Sequence, residues 1–364
     1  MKKALFVLED LNNTGSPLTV LHIIKSIPSN VKITVLVLCG NDESDLSRKR
    51  LFEESGALLH VMNIPHLFGR KFKIFYHYYL LKIKKMIKKL SKNHHYDYFY
   101  LNRFNIAGPI CSTIKRISKN STIVFNSLGS IDSKSGNFYV NFLFNQSLRK
   151  TCDYCNYYIS ISDQCFTKKY PIKGKKVILH DYSDIEPKTS AKSFNSKGTF
   201  SLGQIGYFSD NKNQLFSLSL VKKLIDKGYN VSLRLIGFPT DMNYYSLMES
   251  FIYDNNLKNH VFMFDKNYDK ISFFENIDLL LIPSKSEGFP LIIKESLSQK
   301  TPIFGSDAMP FEAKIEGVTI LPLNEPDVWM KAIIGESYKQ KQLSSSDLMR
   351  DKEPFKNIVS CIFN

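Results

Sequence analysis

The sequence lacks any apolar run that approaches the ~20 residues needed by a membrane-spanning helix. The first residues, MKKALFVLED, form a segment too short and too soon acidic to be a secretory signal. Both features disfavour membrane spanning and secretion. We therefore expect a cytoplasmic protein.

Cysteine is scarce, with 6 residues in a chain of 364, which excludes a disulfide framework of the kind found in small secreted domains. Cys152 and Cys155 form a lone Cys-x-x-Cys pair with no second pair at zinc-ribbon spacing, and no histidine lies near Cys165. Zinc binding and buried thiols in a reducing cytosol both remain open for this segment, and the thiols are the favoured interpretation.

Acidic residues are scarce in the first part of the chain. Residues 1–199 contain 31 Lys and Arg against 14 Asp and Glu, a net +17, whereas residues 200–364 contain 18 against 20, a net −2. The first part is therefore expected to meet an anionic membrane surface, a phosphorylated acceptor or nucleic acid, with solubility alone as the simpler explanation. Nucleic acid is the least favoured partner, because no recognised nucleic-acid module is present.

Residues 70–92 carry nine Lys or Arg and no acid. Apolar residues recur in this segment at roughly three to four positions, which predicts a helix with an apolar stripe beside a basic face. The stripe comprises Phe72, Phe75, Tyr76, Tyr79, Ile83, Met86 and Leu90. Two compatible interpretations remain open: a helix lying in a membrane interface through Lys82, Lys84, Lys85, Lys88 and Lys89, and a helix packed on its own sheet, whose solvated lysines can still contact anionic lipid.

Short apolar strands alternate with helical segments along most of the chain, which predicts βαβ units and parallel sheets. The polar stretch 183–199 interrupts this alternation at the point where the charge balance changes sign, and it is interpreted as an interdomain linker. We predict a first domain over residues 1–182 and a second over residues 200–335. A helical segment over residues 336–364 is expected to pack back on the first domain.

The segment IPSKSEGFPLIIKESLSQKTP, residues 282–302, carries two glutamates eight positions apart. Pro290 suits the first position of a helix whose N–H groups, from about Leu291 onward, would bind phosphate. Glu287 precedes this helix and Glu295 lies inside it, so the two carboxylates can bind hydroxyls at different parts of one ligand. Two solvent-exposed glutamates beside a helix start are the alternative.

This segment resembles the signature of the retaining glycosyltransferases of family four, in the form found in enzymes of bacterial surface-polysaccharide synthesis. Residues 206–214 are similar to the family's diphosphate-binding loop, and residues 235–237 and 274–284 also follow the family. Residues 14–18, TGSPL, resemble the glycine turn that faces the donor phosphates. The resemblance implies the GT-B fold, in which two Rossmann-like α/β domains have parallel sheets facing across a cleft.

The resemblance also implies roles for individual residues. Glu295 would bind the ribose of a nucleotide sugar, Glu287 would hold the transferred sugar, and Lys212 would neutralise the leaving diphosphate. No cofactor and no metal are expected, because the family generally needs none and no Asp-x-Asp pair is present. The donor-binding residues implied are Gly15, Gly206, Tyr207, Lys212, Glu287, Gly288, Phe289, Pro290, Leu291 and Glu295.

Two positions depart from the family. Tyr207 stands where the diphosphate-binding loop usually has an arginine, and residues 124–130 contain no histidine where many members place one near the reacting sugar. Asn126 or Ser127 is the expected substitute. Asn126 therefore joins Glu287 and Lys212 as a predicted catalytic residue.

Together with these features, the resemblance implies a hexosyl- or N-acetylhexosaminyltransferase that moves a sugar from a nucleotide-diphosphate donor to a glycan acceptor with retention. The acceptor is expected to be lipid-linked and the protein peripheral on the inner face of the cell membrane, in capsule, O-antigen or similar synthesis. The alternatives are a catalytically degenerate homologue that binds glycan or supports a partner, and a nucleotide-sugar epimerase of the same fold.

Overall fold

The computed structural model describes residues 1–12, 15–40, 46–67, 69–127, 138–188, 198–335 and 352–364. The chain divides into two compact units. Unit 1 comprises Met1–Asp181 and Lys352–Asn364, and unit 2 comprises Tyr182–Asp351.

Unit 1 is built on a seven-stranded sheet in the order β3-β2-β1-β4-β5-β6-β7. All neighbouring strands pair in parallel, so their carboxyl ends lie along one edge. Apolar residues fill the central strands because helices cover a parallel sheet on both faces. The strands are Lys2–Leu8 (β1), Val31–Val37 (β2), Leu58–Val61 (β3), Tyr98–Leu101 (β4), Thr122–Ser127 (β5), Tyr157–Ser160 (β6) and Lys175–Ile178 (β7).

The helices of unit 1 follow its strands in alternation. They are Gly15–Ser26 (α1), Lys49–Glu54 (α2), Arg70–Ile74 (α3), Tyr76–Asn93 (α4), Phe104–Ile117 (α5) and Phe138–Tyr154 (α6). The single helix predicted over residues 70–92 is thus two helices, broken at Phe75, whose φ of −105° and ψ of 31° leave the helical region. On either side of the break, Phe72 and Tyr76 both lie in the core with their ring centroids 5.8 Å apart.

The predicted apolar stripe of α3 and α4 packs largely inside unit 1. Phe72, Tyr76, Tyr79, Ile83 and Leu90 are buried in the same core as the sheet, and Met86 packs against it. Phe75 is the exception and is exposed. The stripe therefore forms part of the domain core, as the second of the two interpretations expected.

Unit 2 is built on a six-stranded parallel sheet in the order β10-β9-β8-β11-β12-β13. Its strands are Phe200–Ile205 (β8), Val231–Ile236 (β9), Val261–Phe264 (β10), Leu279–Ile282 (β11), Ile303–Ser306 (β12) and Val318–Leu321 (β13). Its helices are Gln214–Asp226 (α7), Met242–Asp254 (α8), Lys270–Glu275 (α9), Ile292–Ser298 (α10) and Pro326–Ile334 (α11). Both sheets repeat the alternation that the sequence predicts.

The start of the predicted linker is attached to unit 2. Ile185 packs against the core of that unit, because it is an apolar residue within an otherwise polar stretch. The Lys188 N–H donates to the Ser298 carbonyl at 2.8 Å, and Nε2 of Gln299 donates to the Glu186 carbonyl at 2.8 Å. Residues 189–197 lie outside the described residues.

The last described segment, Lys352–Phe363 (α12), returns to unit 1. The Phe363 ring lies 5.9 Å from the Phe6 ring of β1 and 5.2 Å from the Tyr98 ring of β4. Residues 336–351 of the predicted C-terminal segment lie outside the described residues.

Cys152 and Cys155 are buried in the core of unit 1. Burial, which disfavours the thiolate, raises the pKa of Cys152 to about 11 and that of Cys155 to about 12. Among the described residues, no group of three potential metal ligands contains either of these cysteines, which fits buried thiols better than metal ligands. No helix in the described parts of the chain combines the length and apolar character needed to cross a membrane.

Candidate active site

Unit 2 brings Lys212 and Glu287 into contact. Lys212 lies in the loop between β8 and α7, and Glu287 lies in the segment after β11. Nζ of Lys212 donates to Oε1 of Glu287 at 2.5 Å, with the two side chains 25% and 9% exposed. A cation and an anion that ligand groups can reach thus meet at the carboxyl ends of adjacent parallel strands, where α/β sheets bind ligands.

Two asparagines hold the lysine loop against the segment that carries the glutamate. Nδ2 of Asn213 donates to the Pro283 carbonyl at 3.1 Å, from a left-handed backbone with φ of 57° that asparagine tolerates. Nδ2 of Asn211 donates to the Ser286 carbonyl at 3.1 Å, and the Asn211 carbonyl accepts from the Lys285 N–H at 2.8 Å. These hydrogen bonds fix the two segments relative to each other and so bring Lys212 and Glu287 to contact distance.

The loops after β8 and β9 approach too closely for a side chain. A Cβ atom at Gly237 would lie 2.1 Å from the carbonyl oxygen of Gly206. Gly206 itself has a φ of 154°, a conformation that favours glycine. The aliphatic stem of Lys212 passes close to Gly206. A Cβ atom at Gly206 would lie 3.4 Å from the lysine side chain, which is an ordinary contact distance.

Glu295 is buried in α10 and paired with a lysine that the sequence did not single out. Nζ of Lys270, the first residue of α9, donates to Oε1 and Oε2 of Glu295 at 2.6 and 2.7 Å. The Lys270 side chain is 41% exposed and the Glu295 side chain is 6% exposed. A ligand would therefore approach the Glu295 carboxylate from the side on which Lys270 lies. Lys270 is twenty-five positions away in sequence and belongs to no motif, so only the fold reveals it.

The helix that carries Glu295 begins later than predicted. It spans Ile292–Ser298, and Pro290 precedes it, with the Pro290 carbonyl accepting from the Ile293 N–H at 3.0 Å. Leu291 caps the helix, so Glu295 lies about one turn inside it. The preceding residues Gly288 and Phe289 are half-buried, and the Phe289 ring lies 5.4 Å from Nζ of Lys294.

Tyr207, at the position where an arginine was expected, packs against an aromatic neighbour. The Tyr207 ring is perpendicular to the Phe238 ring, with the ring centroids 4.9 Å apart. Nζ of Lys266 lies 4.9 Å from the centroid of the Phe238 ring. The loops after β8, β9 and β10 contribute these three residues in turn. A positive charge is thus present near Tyr207, carried by Lys266.

In unit 1, Gly15 is the first residue of α1, and a Cβ there would have nothing within 4 Å. A buried network fixes this helix: Oγ1 of Thr19 donates to Oδ2 of Asp181 at 2.6 Å, and Nδ1 of His22 lies 2.7 Å from Oδ1 of Asp181. Thr14, the first residue of the predicted glycine turn, lies outside the described residues.

Asn126 lies at the carboxyl end of β5 and is buried. Its Nδ2 donates to the Tyr100 hydroxyl at 2.8 Å, while its Oδ1 has no hydrogen-bond partner among the described residues. An unsatisfied buried amide oxygen is costly in a folded protein. The neighbouring residues 128–130 of the predicted site are not described.

Four of the five predicted membrane-facing lysines are exposed on α4: Lys82, Lys85, Lys88 and Lys89. Lys84 is half-buried, and its pKa is lowered by burial and by the nearby charges of Arg116, Lys150 and Lys88. The helix therefore presents one continuous basic face, and Lys84 lies at its margin, towards α5 and α6.

Comparison with known proteins finds a family model and a curated relative that match part of the chain. Residues 186–320, which lie within unit 2, match the family model described as glycosyl transferases group 1. The chain is 25% identical over 205 residues to protein CapJ of Staphylococcus aureus. That alignment covers 54% of this chain and 49% of CapJ, so the chain spans about half the length of the curated relative that it matches.

Solved structures share the fold along the whole chain. HepE from Anabaena, in complex with UDP and glucose, has a TM-score of 0.71 at 17% identity, covering 100% of this chain and 96% of HepE. TarM has a TM-score of 0.75 at 10% identity, covering 100% and 99%. The lipopolysaccharide outer core galactosyltransferase WaaB has a TM-score of 0.69 at 15% identity, covering 99% and 97%.

These neighbours and the two parallel sheets confirm the predicted α/β architecture of two Rossmann-like domains, the GT-B fold. The family match falls on the unit that contains Lys212, Glu287 and Glu295. The family model therefore indicates a glycosyl transferases group 1 domain in unit 2, and the solved structures support the GT-B fold.

Proposed function

We propose that this protein is a retaining glycosyltransferase that moves a hexosyl or N-acetylhexosaminyl group from a nucleotide-diphosphate sugar to a glycan acceptor. The observation that carries the proposal is the contact between Lys212 and Glu287 in the family-matched unit. Similarity to CapJ and WaaB supports a role in surface-polysaccharide synthesis.

Lys212 and Glu287 suit the two parts of a sugar diphosphate. As the bond between the sugar and the diphosphate breaks, negative charge grows on the leaving phosphate oxygens, and a lysine held in place lowers the energy of that state. The carboxylate of Glu287 accepts hydrogen bonds from sugar hydroxyls. Since the ion pair already brings both groups together, little reorganisation is needed when a donor binds. We propose that the transfer itself uses no metal or other cofactor.

Glu295 and Lys270 suit the nucleoside end of the donor. A buried carboxylate held by one lysine can accept hydrogen bonds from the two ribose hydroxyls. The structure of HepE with UDP supports a nucleotide diphosphate as the ligand of this fold. Gly15, Gly206, Tyr207 and the segment 288–291 complete the proposed donor-binding set.

Asn126 is proposed to act near the reacting sugar in place of the family's histidine. Its amide oxygen has no partner within the described residues, which makes it available to a hydroxyl or N–H donor. The amide cannot change its charge, so its part would be orientation through hydrogen bonds rather than proton transfer.

The acceptor is proposed to be lipid-linked and held at the inner face of the membrane by unit 1. Lys82, Lys85, Lys88 and Lys89 form the exposed face of α4. The helix ends nearby expose a group of large apolar side chains, each at least half exposed: Ile74, Phe75, Tyr78, Leu81, Phe138, Tyr139 and Phe142. Nε2 of His77 and the hydroxyl of Tyr139, 2.9 Å apart, join α4 and α6, which carry most of this group. Aromatic and basic groups side by side suit an anionic lipid interface.

Incubation of the purified chain with a panel of nucleotide sugars tests the proposal through slow donor hydrolysis and nucleotide release. We expect release from one donor, and a fall of at least about 100-fold in Lys212→Met, the scale of losing one transition-state charge partner. Lys222→Met is the matched control, because Lys222 pairs with Asp226 on the surface of α7. NMR of the product formed with an acceptor reports the anomeric configuration.

The remaining outcomes discriminate between the alternatives. Nucleotide binding without turnover indicates a degenerate homologue, which the tyrosine at position 207 favours. Conversion of the donor to another nucleotide sugar without acceptor indicates an epimerase. Absence of both nucleotide binding and turnover contradicts the proposed function.

A further inference from the structure

A cluster of metal-ligating side chains lies in unit 1, in residues that the proposed function does not use. Glu9 follows β1, Cys39 follows β2 and His66 follows β3, so three neighbouring strands of the sheet bring them together at its carboxyl edge. One ligand atom from each lies within 4.8 Å of those of the other two. Among the described residues, no other set of three His, Cys, Asp or Glu side chains meets this criterion.

We propose that Glu9, Cys39 and His66 bind a zinc ion, with a water as the fourth ligand. Thiolate, imidazole and carboxylate are the ligands that zinc accepts, and three of them leave the fourth position of the tetrahedron to water. A thiolate beside an imidazole selects zinc over magnesium or calcium, which take oxygen ligands.

The ligand atoms would have to move closer together to hold a zinc ion. With zinc bonds of about 2.1 Å to nitrogen or oxygen and about 2.3 Å to sulfur, neighbouring ligand atoms on a tetrahedron lie about 3.3 to 3.6 Å apart. Nδ1 of His66 lies 3.7 Å from Oε1 of Glu9, and the ligand atoms of all three residues lie within 4.8 Å of one another. The His66 side chain is 52% exposed, so it has room to move towards the other two ligands and leaves a path for the ion.

Neighbouring groups hold the carboxylate of Glu9 in place. Its Oε1 accepts the Leu67 N–H at 2.7 Å, and its Oε2 lies 2.7 Å from Nε of Arg103. Outer partners of this kind orient the ligands of metal sites.

Bound there, the ion would cross-link the chain after β1, β2 and β3, in a place separate from the donor residues of unit 2.

The test uses the full chain, stripped with a chelator and then titrated with zinc, with bound metal measured by mass spectrometry. We expect one zinc per chain, and a loss of affinity beyond about 100-fold in Cys39→Ser and in His66→Ala, since changes to outer partners alone cost 10–100-fold. Cobalt substitution should give a thiolate-to-metal charge-transfer band that disappears in Cys39→Ser.

Matched controls separate binding from folding. Cys152→Ser removes a buried thiol outside the cluster, and His95→Ala removes an exposed imidazole, so both should keep the metal. If Cys39→Ser fails to fold, the half-exposed His66 supplies the deciding variant. Zinc should raise the melting temperature of the wild type but not of His66→Ala. No binding by the wild type, or full retention by His66→Ala, would overturn the proposal.

Discussion

Lys270 holds both carboxylate oxygens of Glu295, at 2.6 and 2.7 Å. We expect Lys270→Met to weaken UDP binding by about tenfold or more, because a charge-assisted hydrogen bond to a buried carboxylate contributes about 1.5–3 kcal/mol. Calorimetric titration of UDP measures the loss.

Lys270→Arg should restore most of that affinity, since it keeps the charge and the donors. Pyrophosphate, which lacks the ribose, should bind both variants and the wild type alike. Tighter UDP binding in Lys270→Met would show instead that the lysine competes with the ribose.

Gly237 and Gly15 are expected to respond differently to a single added methyl group. Gly237→Ala places a Cβ 2.1 Å from the Gly206 carbonyl, and relief of this overlap should cost about 1–3 kcal/mol of unfolding free energy. Gly15→Ala adds a methyl group to open space, so stability should change by less than about 0.5 kcal/mol.

Under the proposed function, however, Gly15→Ala should lower donor affinity, because the methyl group would block the close approach of a phosphate. Urea denaturation and UDP titration measure the two effects separately. Unchanged UDP binding in Gly15→Ala would remove this glycine from the donor site.

Asp181 is expected to be one of the most sensitive positions of unit 1. It accepts from Thr19 and contacts the fully buried His22, so Asp181→Ala removes a partner from both. Breaking a buried pair of this kind costs about 3–5 kcal/mol. Urea denaturation should report that loss.

The half-exposed pair of Asp153 and Lys173 supplies the control. Asp153→Ala should cost at most about 1 kcal/mol, as surface ion pairs do. Equal losses of unfolding free energy in Asp181→Ala and Asp153→Ala would show that the buried network stabilises unit 1 no more than a surface ion pair does.

The exposed face of α4 predicts salt-sensitive binding to lipid. Replacement of Lys82, Lys85, Lys88 and Lys89 by alanine should weaken binding to anionic liposomes by about 1 kcal/mol per lysine and leave neutral liposomes unaffected. Co-sedimentation at two salt concentrations measures the effect.

The charge-matched control replaces four exposed lysines of unit 2, namely Lys227, Lys258, Lys314 and Lys331. It removes the same net charge from another surface and should retain liposome binding. An equal loss in both quadruple variants would point to overall charge rather than to this helix.

The fold was predictable because each strand is a short apolar run between polar turns. The strands that begin at Val31, Val231 and Leu279 each start directly after a polar residue, namely Asn30, Asn230 and Asp278. The break at Phe75 was not predictable, because the helical spacing continues through that residue and only the packing of Phe72 and Tyr76 shows the interruption.

The site was predictable only where a motif carries it. Glu287, Glu295 and Lys212 lie in recognisable segments, whereas Lys270 is brought to Glu295 by the packing of α9 beside α10. The same holds for Cys39 and His66, which are isolated in sequence and meet only because β2 and β3 are neighbours in the sheet. Spacing along the chain contains no information about such pairs.

The return of α12 to unit 1 has a consequence for synthesis on the ribosome. Unit 2 is one continuous stretch of chain, so it can fold as soon as it has emerged. Unit 1 is discontinuous, and Phe363 reaches Phe6 and Tyr98 only after all of unit 2 has been translated. Unit 1 is therefore translated first but completed last. Until α12 has been made, the apolar surface at Phe6 and Tyr98 is not covered by this helix and is accessible to chaperones.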